Sequence, residues 1–136
     1  MSSSRLANSW SDAGRDHLAA AVLLRRSGHV RSAINRAYFS GYTFSHSVLA
    51  RLGSTLPEKG NWSHRDLPVV LANALKKRAG RKNQWRAVAL DRQRDLSECR
   101  EFRVIADYRP LAILTTEDAD FTLRCARKLE KLLLEE

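Results

Sequence analysis

Apolar residues recur along this chain at steps of three and four, the period of a helix with one buried face. The pattern predicts five helices. The first runs from about Asn8 to Ser27, with Trp10, Gly14, His17, Ala21 and Leu24 on one face and Gly28 as its stop. The second, about His29 to Leu52, carries the longest stripe: Val30, Ala33, Ile34, Ala37, Tyr38, Gly41, Ser45, Val48, Leu49 and Leu52, closed by Gly53. Ala37, Gly41 and Ser45 are small residues one turn apart, a face that admits another helix closely. A flanking row holds Asn35, Phe39, Tyr42 and His46.

Residues 53–62 combine Gly, Pro and Asn and read as a loop. Ser63 and Asp66 form an S-x-x-D cap for a third helix that reaches about Arg78, with Pro68 in the first turn, where proline is tolerated. The fourth helix, about Asn83 to Asp107, has a heptad-like seam of Trp85, Ala89, Arg92, Leu96, Cys99, Arg103 and Ala106. Arg103 therefore stands on a face that should be apolar, and needs either a buried partner or a groove. Pro110 ends this helix. Thr115 and Asp118 cap a fifth, whose inner face is Ala119, Thr122, Leu123, Ala126, Leu129 and Leu133. Residues 1–7 read as a flexible tail and 8–136 as one domain. The fold class is all-α, an up-and-down antiparallel helical bundle of four to five helices.

Charge adds direction to this picture. The net charge is +9 and the pI about 10.3, carried by 18 Arg and 6 Lys. Such a surface favours an anionic partner: RNA, DNA, a nucleotide or an acidic protein. Arginine suits bidentate phosphate contacts, although a GC-rich coding sequence gives the same bias. No acidic residue occurs between Leu67 and Leu90, so Lys76, Lys77, Arg78, Arg81, Lys82 and Arg86 form an uncompensated basic patch. It is either a phosphate contact or a solvated loop.

Several chemistries find no support. His17, His29, His46 and His64 include no pair three or four apart, and H-E-x-x-H is missing, which argues against a metal site. No P-loop, dinucleotide fingerprint or nucleophile elbow occurs, so no cofactor is implied. Cys99 and Cys125 fall inside helices and read as core thiols of a reduced, cytoplasmic protein. The longest apolar run, Leu18 to Leu24, is too short to span a bilayer, and no membrane partner is expected.

Two groups of residues remain. Asn35, Arg36, Tyr38 and Phe39 lie on the second helix. Arg100, Arg103, Asp107 and Tyr108 end the fourth, where Arg103 and Asp107 are spaced to pair. That pair is either a structural clamp, with Tyr108 packed on it, or the wall of a phosphate-binding groove.

These groups carry a resemblance. Residues 31–53 (RSAINRAYFSGYTFSHSVLARLG), 63–67 (SHRDL), 100–110 (REFRVIADYRP) and 115–133 together resemble a HEPN domain (higher eukaryotes and prokaryotes nucleotide-binding) of the small stand-alone prokaryotic branch. Ala33, Arg36, Ala37, Tyr38 and Phe39 match its second-helix motif. Ser63, His64 and Arg65 match the motif after the loop, and Arg103, Ala106, Asp107 and Tyr108 the R-x-x-A-D-Y near the end of the long helix. The resemblance spans about residues 8–134. It implies a helical bundle acting as a homodimer, and RNA or a nucleotide as ligand. It also implies a place in a toxin–antitoxin or anti-phage module, often beside a cognate nucleotidyltransferase. Catalytic members use an Arg followed after four to six residues by His; the Arg holds the scissile phosphate and the His transfers protons with the ribose 2′-OH. Here the positions after Arg103 that should hold His are Tyr108, Arg109 and Pro110. The resemblance thus implies binding through Arg103, Arg100, Asp107, Tyr108, Arg36, Tyr38 and His64. The other readings are an inert adaptor using the Gly41 face, and a metal-independent ribonuclease with an unorthodox site.

Overall fold

The computed structural model describes residues 3–78 and 82–134. Five helices follow one another: α1 (Ser3–Arg26), α2 (Val30–Arg51), α3 (Leu67–Lys76), α4 (Lys82–Tyr108) and α5 (Thr116–Leu134). No strand occurs among the described residues. No helix among them is long and apolar enough to cross a membrane.

The four long helices alternate up and down. Ala7 meets Ser47 and Gly14 meets Ser40, which sets α1 antiparallel to α2. Asn35 reaches Asp107 while Gly41 faces Leu96, so α4 also opposes α2. Lys128 reaches Asp95 and Phe121 faces Phe102, which turns α5 back along α4. The short α3 is the fifth member and packs on α4.

α2 touches each of the other four helices. From Ser40 to Ala50 every residue is buried, so this helix has no solvent face there. Its polar side chains are consequently tied to backbone carbonyls, as buried hydroxyls must be. Ser40 donates to Gly14 at 2.8 Å, Ser45 to Gly41 at 2.8 Å and Ser47 to Ala7 at 2.6 Å. Both predicted glycine stops carry positive φ, +80° at Gly28 and +78° at Gly53. In each case the next amide reaches back to the helix, His29 to Leu24 and Ser54 to Leu49, which satisfies carbonyls the helix end would leave unpaired.

Two expectations change. Residues 3–7 are part of α1 rather than a tail, because the buried second half of α2 needs cover, and Ala7 is fully buried against it. The small-residue face of α2 is not available to a partner either. Gly41 sits against Leu129 and Leu96 of the same chain, and Ala37 and Ser45 are buried.

The seam of α4 holds its first arginine by charge. Arg92 donates to Asp91 at 2.7 Å and to buried Asp95 at 3.2 Å, and Lys128 of α5 reaches the same Asp95 at 3.1 Å. The α5 start is a reciprocal cap. The Thr115 amide donates to Asp118, and the Asp118 amide donates to Thr115 Oγ1.

Candidate functional site

Tyr38, Tyr42 and His46 stand four residues apart on α2 and so share one face. Together they grip the loop that returns from the end of α2 toward the start of α3. The Trp62 amide donates to His46 Nε2 at 2.9 Å, and His46 Nδ1 lies 2.9 Å from the Tyr42 carbonyl. An amide only donates and a carbonyl only accepts, so the proton must sit on Nδ1 and His46 must be neutral. Burial lowers its pKa below the ordinary histidine value, in the same direction. The ring stacks on Trp10 with centroids 4.4 Å apart. One turn up, the Tyr42 hydroxyl donates to the Trp62 carbonyl and accepts from Asn61 at 2.7 Å.

One turn further, the Tyr38 hydroxyl lies 2.7 Å from His64 Nδ1. Burial pushes the Tyr38 phenol well above its usual pKa, against the pull of Arg103 and Arg100, so it keeps its proton. His64 titrates below the ordinary value, chiefly through burial and then through the nearby Arg103 and Arg100 charges. It is therefore a neutral imidazole at pH 7, with Nδ1 engaged by the Tyr38 hydroxyl.

His64 opens onto a groove of about 450 Å³ between the start of α3 and the last turns of α4. Arg65 and Pro68 line one side. Arg100, Glu101 and Arg109 line the other, with Val104 and Ile105 as the apolar floor. Three guanidinium groups and one imidazole thus face a single carboxylate, Glu101. Such a hollow carries an excess of positive charge, and each arginine offers a planar fork of donors that matches the geometry of a phosphate or carboxylate.

Arg103 is not on the wall of this groove. Its side chain is only 15% exposed. The guanidinium lies 5.6 Å from the ring centroids of both Tyr38 and Phe39, and Nη1 pairs with Asp107 at 3.4 Å. Asn35 Nδ2 donates to both Asp107 oxygens, at 3.0 and 3.2 Å. The Arg103–Asp107 pair is therefore a clamp between α4 and α2, and Arg103 acts on the groove as a charge behind His64. Tyr38 is likewise buried and reaches the groove only through His64. Tyr108 is 71% exposed and does not pack on the clamp. Arg36 lies across α4 from the groove, with Nη1 3.3 Å from His17 Nδ1.

The basic patch lies elsewhere too. Arg78 sits over the Trp85 ring at 4.4 Å, and Lys77 borders a separate hollow beside Trp62. Lys76 is partly buried and Arg86 exposed; Arg81 and the side chain of Lys82 fall outside the described residues. At 1.5 Å per residue, Arg86 is about 20 Å along α4 from Arg100. The two basic features do not form one site.

Sequence reasoning missed Arg65 and Arg109 as groove residues, although Arg65 is itself a motif residue and Arg109 adjoins one. It also missed Arg31. That guanidinium donates to the carbonyls of Ile105, Ala106, Arg109, Pro110 and Ala112, closing the end of α4 and fixing the loop after it. Cys99 and Cys125 are buried free thiols. Among the described residues no group of three or more His, Cys, Asp or Glu could hold a metal ion.

Compared with known proteins, the chain matches no family model, no curated protein and no solved structure.

Proposed function

We propose that this chain is a HEPN-type RNA- or nucleotide-binding protein of a toxin–antitoxin or anti-phage module. It would act as a homodimer, with a cognate nucleotidyltransferase as its possible partner protein. The observation that carries the reading is the groove itself: Arg65, Arg100 and Arg109 converge on it beside His64, with Arg103 behind. The phosphate contacts belong to these groove-lining arginines, and Arg103 supplies field and support. Titration of a fluorescently labelled single-stranded RNA tests this. Arg65→Ala, Arg100→Ala and Arg109→Ala should each weaken binding, while Arg86→Ala in the remote patch should not. The reverse ranking would overturn the proposal.

A second reading, RNA cleavage, is favoured by His64 on the same groove. The neutral imidazole would take the proton from a ribose 2′-OH, the 2′ oxygen would bond to phosphorus, and the bond to the 5′ oxygen would break as the imidazolium passes that proton to it, which restores the neutral ring. The products would be a 2′,3′-cyclic phosphate and a 5′-hydroxyl end. His64→Ala should abolish this reaction in the presence of a chelator. Cleavage that persists in His64→Ala would assign the activity elsewhere.

A further inference from the structure

A second hollow, of about 690 Å³, lies on the other side of the α4 terminus. Ser32, Asn35 and Arg36 of α2 line it, with Asp107 and Tyr108 of α4 opposite. The two hollows share one turn of helix, since Ile105 and Arg109 line the first and Ala106 to Tyr108 the second. An α-helix with its side chains is about 10–12 Å across, so a strand with one phosphate in the first hollow would carry the base of an adjacent nucleotide to the second. We propose that this second hollow is a nucleobase pocket that selects guanine in single-stranded RNA, with Tyr108 as the stacking platform and Asp107 as the reader of the base edge. The inference rests on the RNA-binding reading above and names the base it prefers.

Tyr108 fits the first role because its ring is 71% exposed at the rim. A bare aromatic face beside a phosphate-binding groove is what an unpaired base stacks on. Asp107 fits the second because it is held in place before any ligand arrives. Asn35 and Arg103 together use three of its acceptor positions. A carboxylate has about four such positions on its two oxygens; one stays open on Oδ1, and yielding the long 3.4 Å bond from Arg103 opens one on Oδ2. The carboxylate never donates. It therefore favours a base edge with two adjacent donors. Guanine offers N1–H beside its N2 amino group. Adenine and cytosine place a bare ring nitrogen beside the amino group, and uracil flanks its single N3–H with carbonyls. Arg36, which reaches the His17 ring nitrogen at 3.3 Å, supplies the donors that match guanine O6 and N7.

Competition binding with four pentaribonucleotides, U-U-X-U-U with X each base in turn, tests the pocket. The wild type should prefer guanine by about tenfold or more, the discrimination of one bidentate base contact. Tyr108→Phe should keep that preference, and Tyr108→Ala should weaken binding of the guanine oligonucleotide several-fold. The exposed position makes both variants safe for folding. Asp107→Asn, which turns an acceptor into a donor, should erase the preference. Equal affinity for all four oligonucleotides, with salt-sensitive binding intact, would overturn the guanine pocket and leave the phosphate groove standing. A preference for another base would do the same. No binding of any oligonucleotide would overturn both.

Discussion

The Tyr38 hydroxyl lies 2.7 Å from His64 Nδ1, and this contact joins the buried centre of the bundle to its basic groove. Tyr38 is 1% exposed and cannot itself meet a ligand. Its role is to hold one nitrogen of the imidazole that lines the groove. Tyr38→Phe keeps the packing and deletes the hydroxyl. It should cost about 1 kcal/mol in a urea melt, the usual worth of such a bond. RNA affinity should fall several-fold. A variant that melts and binds like the wild type would show that the contact positions nothing.

The histidines set a pH dependence. His46 and His64 titrate below 6.5 in the fold, both mainly through burial, and so does His17. A folded pKa below the unfolded one means that the unfolded chain binds protons first as the pH falls. Their contribution to stability is complete above the unfolded value of about 6.5, and is lost as the pH drops from there through the folded values. The urea midpoint should therefore fall between about pH 7.5 and pH 5.5. His46→Gln removes one titrating group and should flatten that fall. An unchanged slope in this variant would show that His46 contributes nothing to the pH dependence.

Two glycines should respond oppositely to alanine. A Cβ at Gly14 would stand 2.6 Å from a Phe44 ring carbon, inside contact distance, so α1 and α2 would have to part. Overpacking of this kind costs about 1–3 kcal/mol. A Cβ at Gly41 meets Leu129 at 3.4 Å, an ordinary contact, and alanine is the better helix former by about 1 kcal/mol. Thermal melts of Gly14→Ala and Gly41→Ala should move in different directions. Equal losses would contradict the packing described between these helices.

Arg31 should matter more than its exposed neighbours. Its fork serves the carbonyls of Ile105, Ala106, Arg109, Pro110 and Ala112. Arg31→Ala should cost about 2 kcal/mol, since hydrogen bonds from charged donors are the stronger kind. Amide exchange should rise through residues 109–115. Arg31→Lys should restore little, because one ammonium cannot replace a planar fork. Wild-type exchange in that loop after Arg31→Ala would remove this role.

Much of the bundle was legible because helix period, glycine stops and caps are local properties. Thr115 and Asp118, or Gly28 and Gly53, need no knowledge of the rest of the chain. The site was legible only in part. Arg103 was visible as a charge on an apolar seam, but the seam does not say whether a partner or a ligand answers it. Asp107 answers it at the i+4 spacing that sequence allows, but the rings of Tyr38 and Phe39 answer it from a helix about 65 residues away, where no spacing rule reaches. His64 was visible only as a motif residue. Its place in the groove depends on the path of the return loop, which the Tyr42 and His46 contacts to Asn61 and Trp62 determine. The place of Ala7 is illegible for a similar reason: its contact with the buried half of α2 lies 40 residues away in sequence.

The salt dependence of RNA binding in an Arg100→Ala/Arg109→Ala double variant tests the central claim most directly. Each phosphate contact on a single strand contributes about 0.7 to the slope of log affinity against log salt. The account predicts a slope shallower by about 1.4 and much weaker binding at low salt, with melting unchanged. A slope and an affinity equal to those of the wild type would contradict it, and would place the phosphates somewhere other than the groove beside His64.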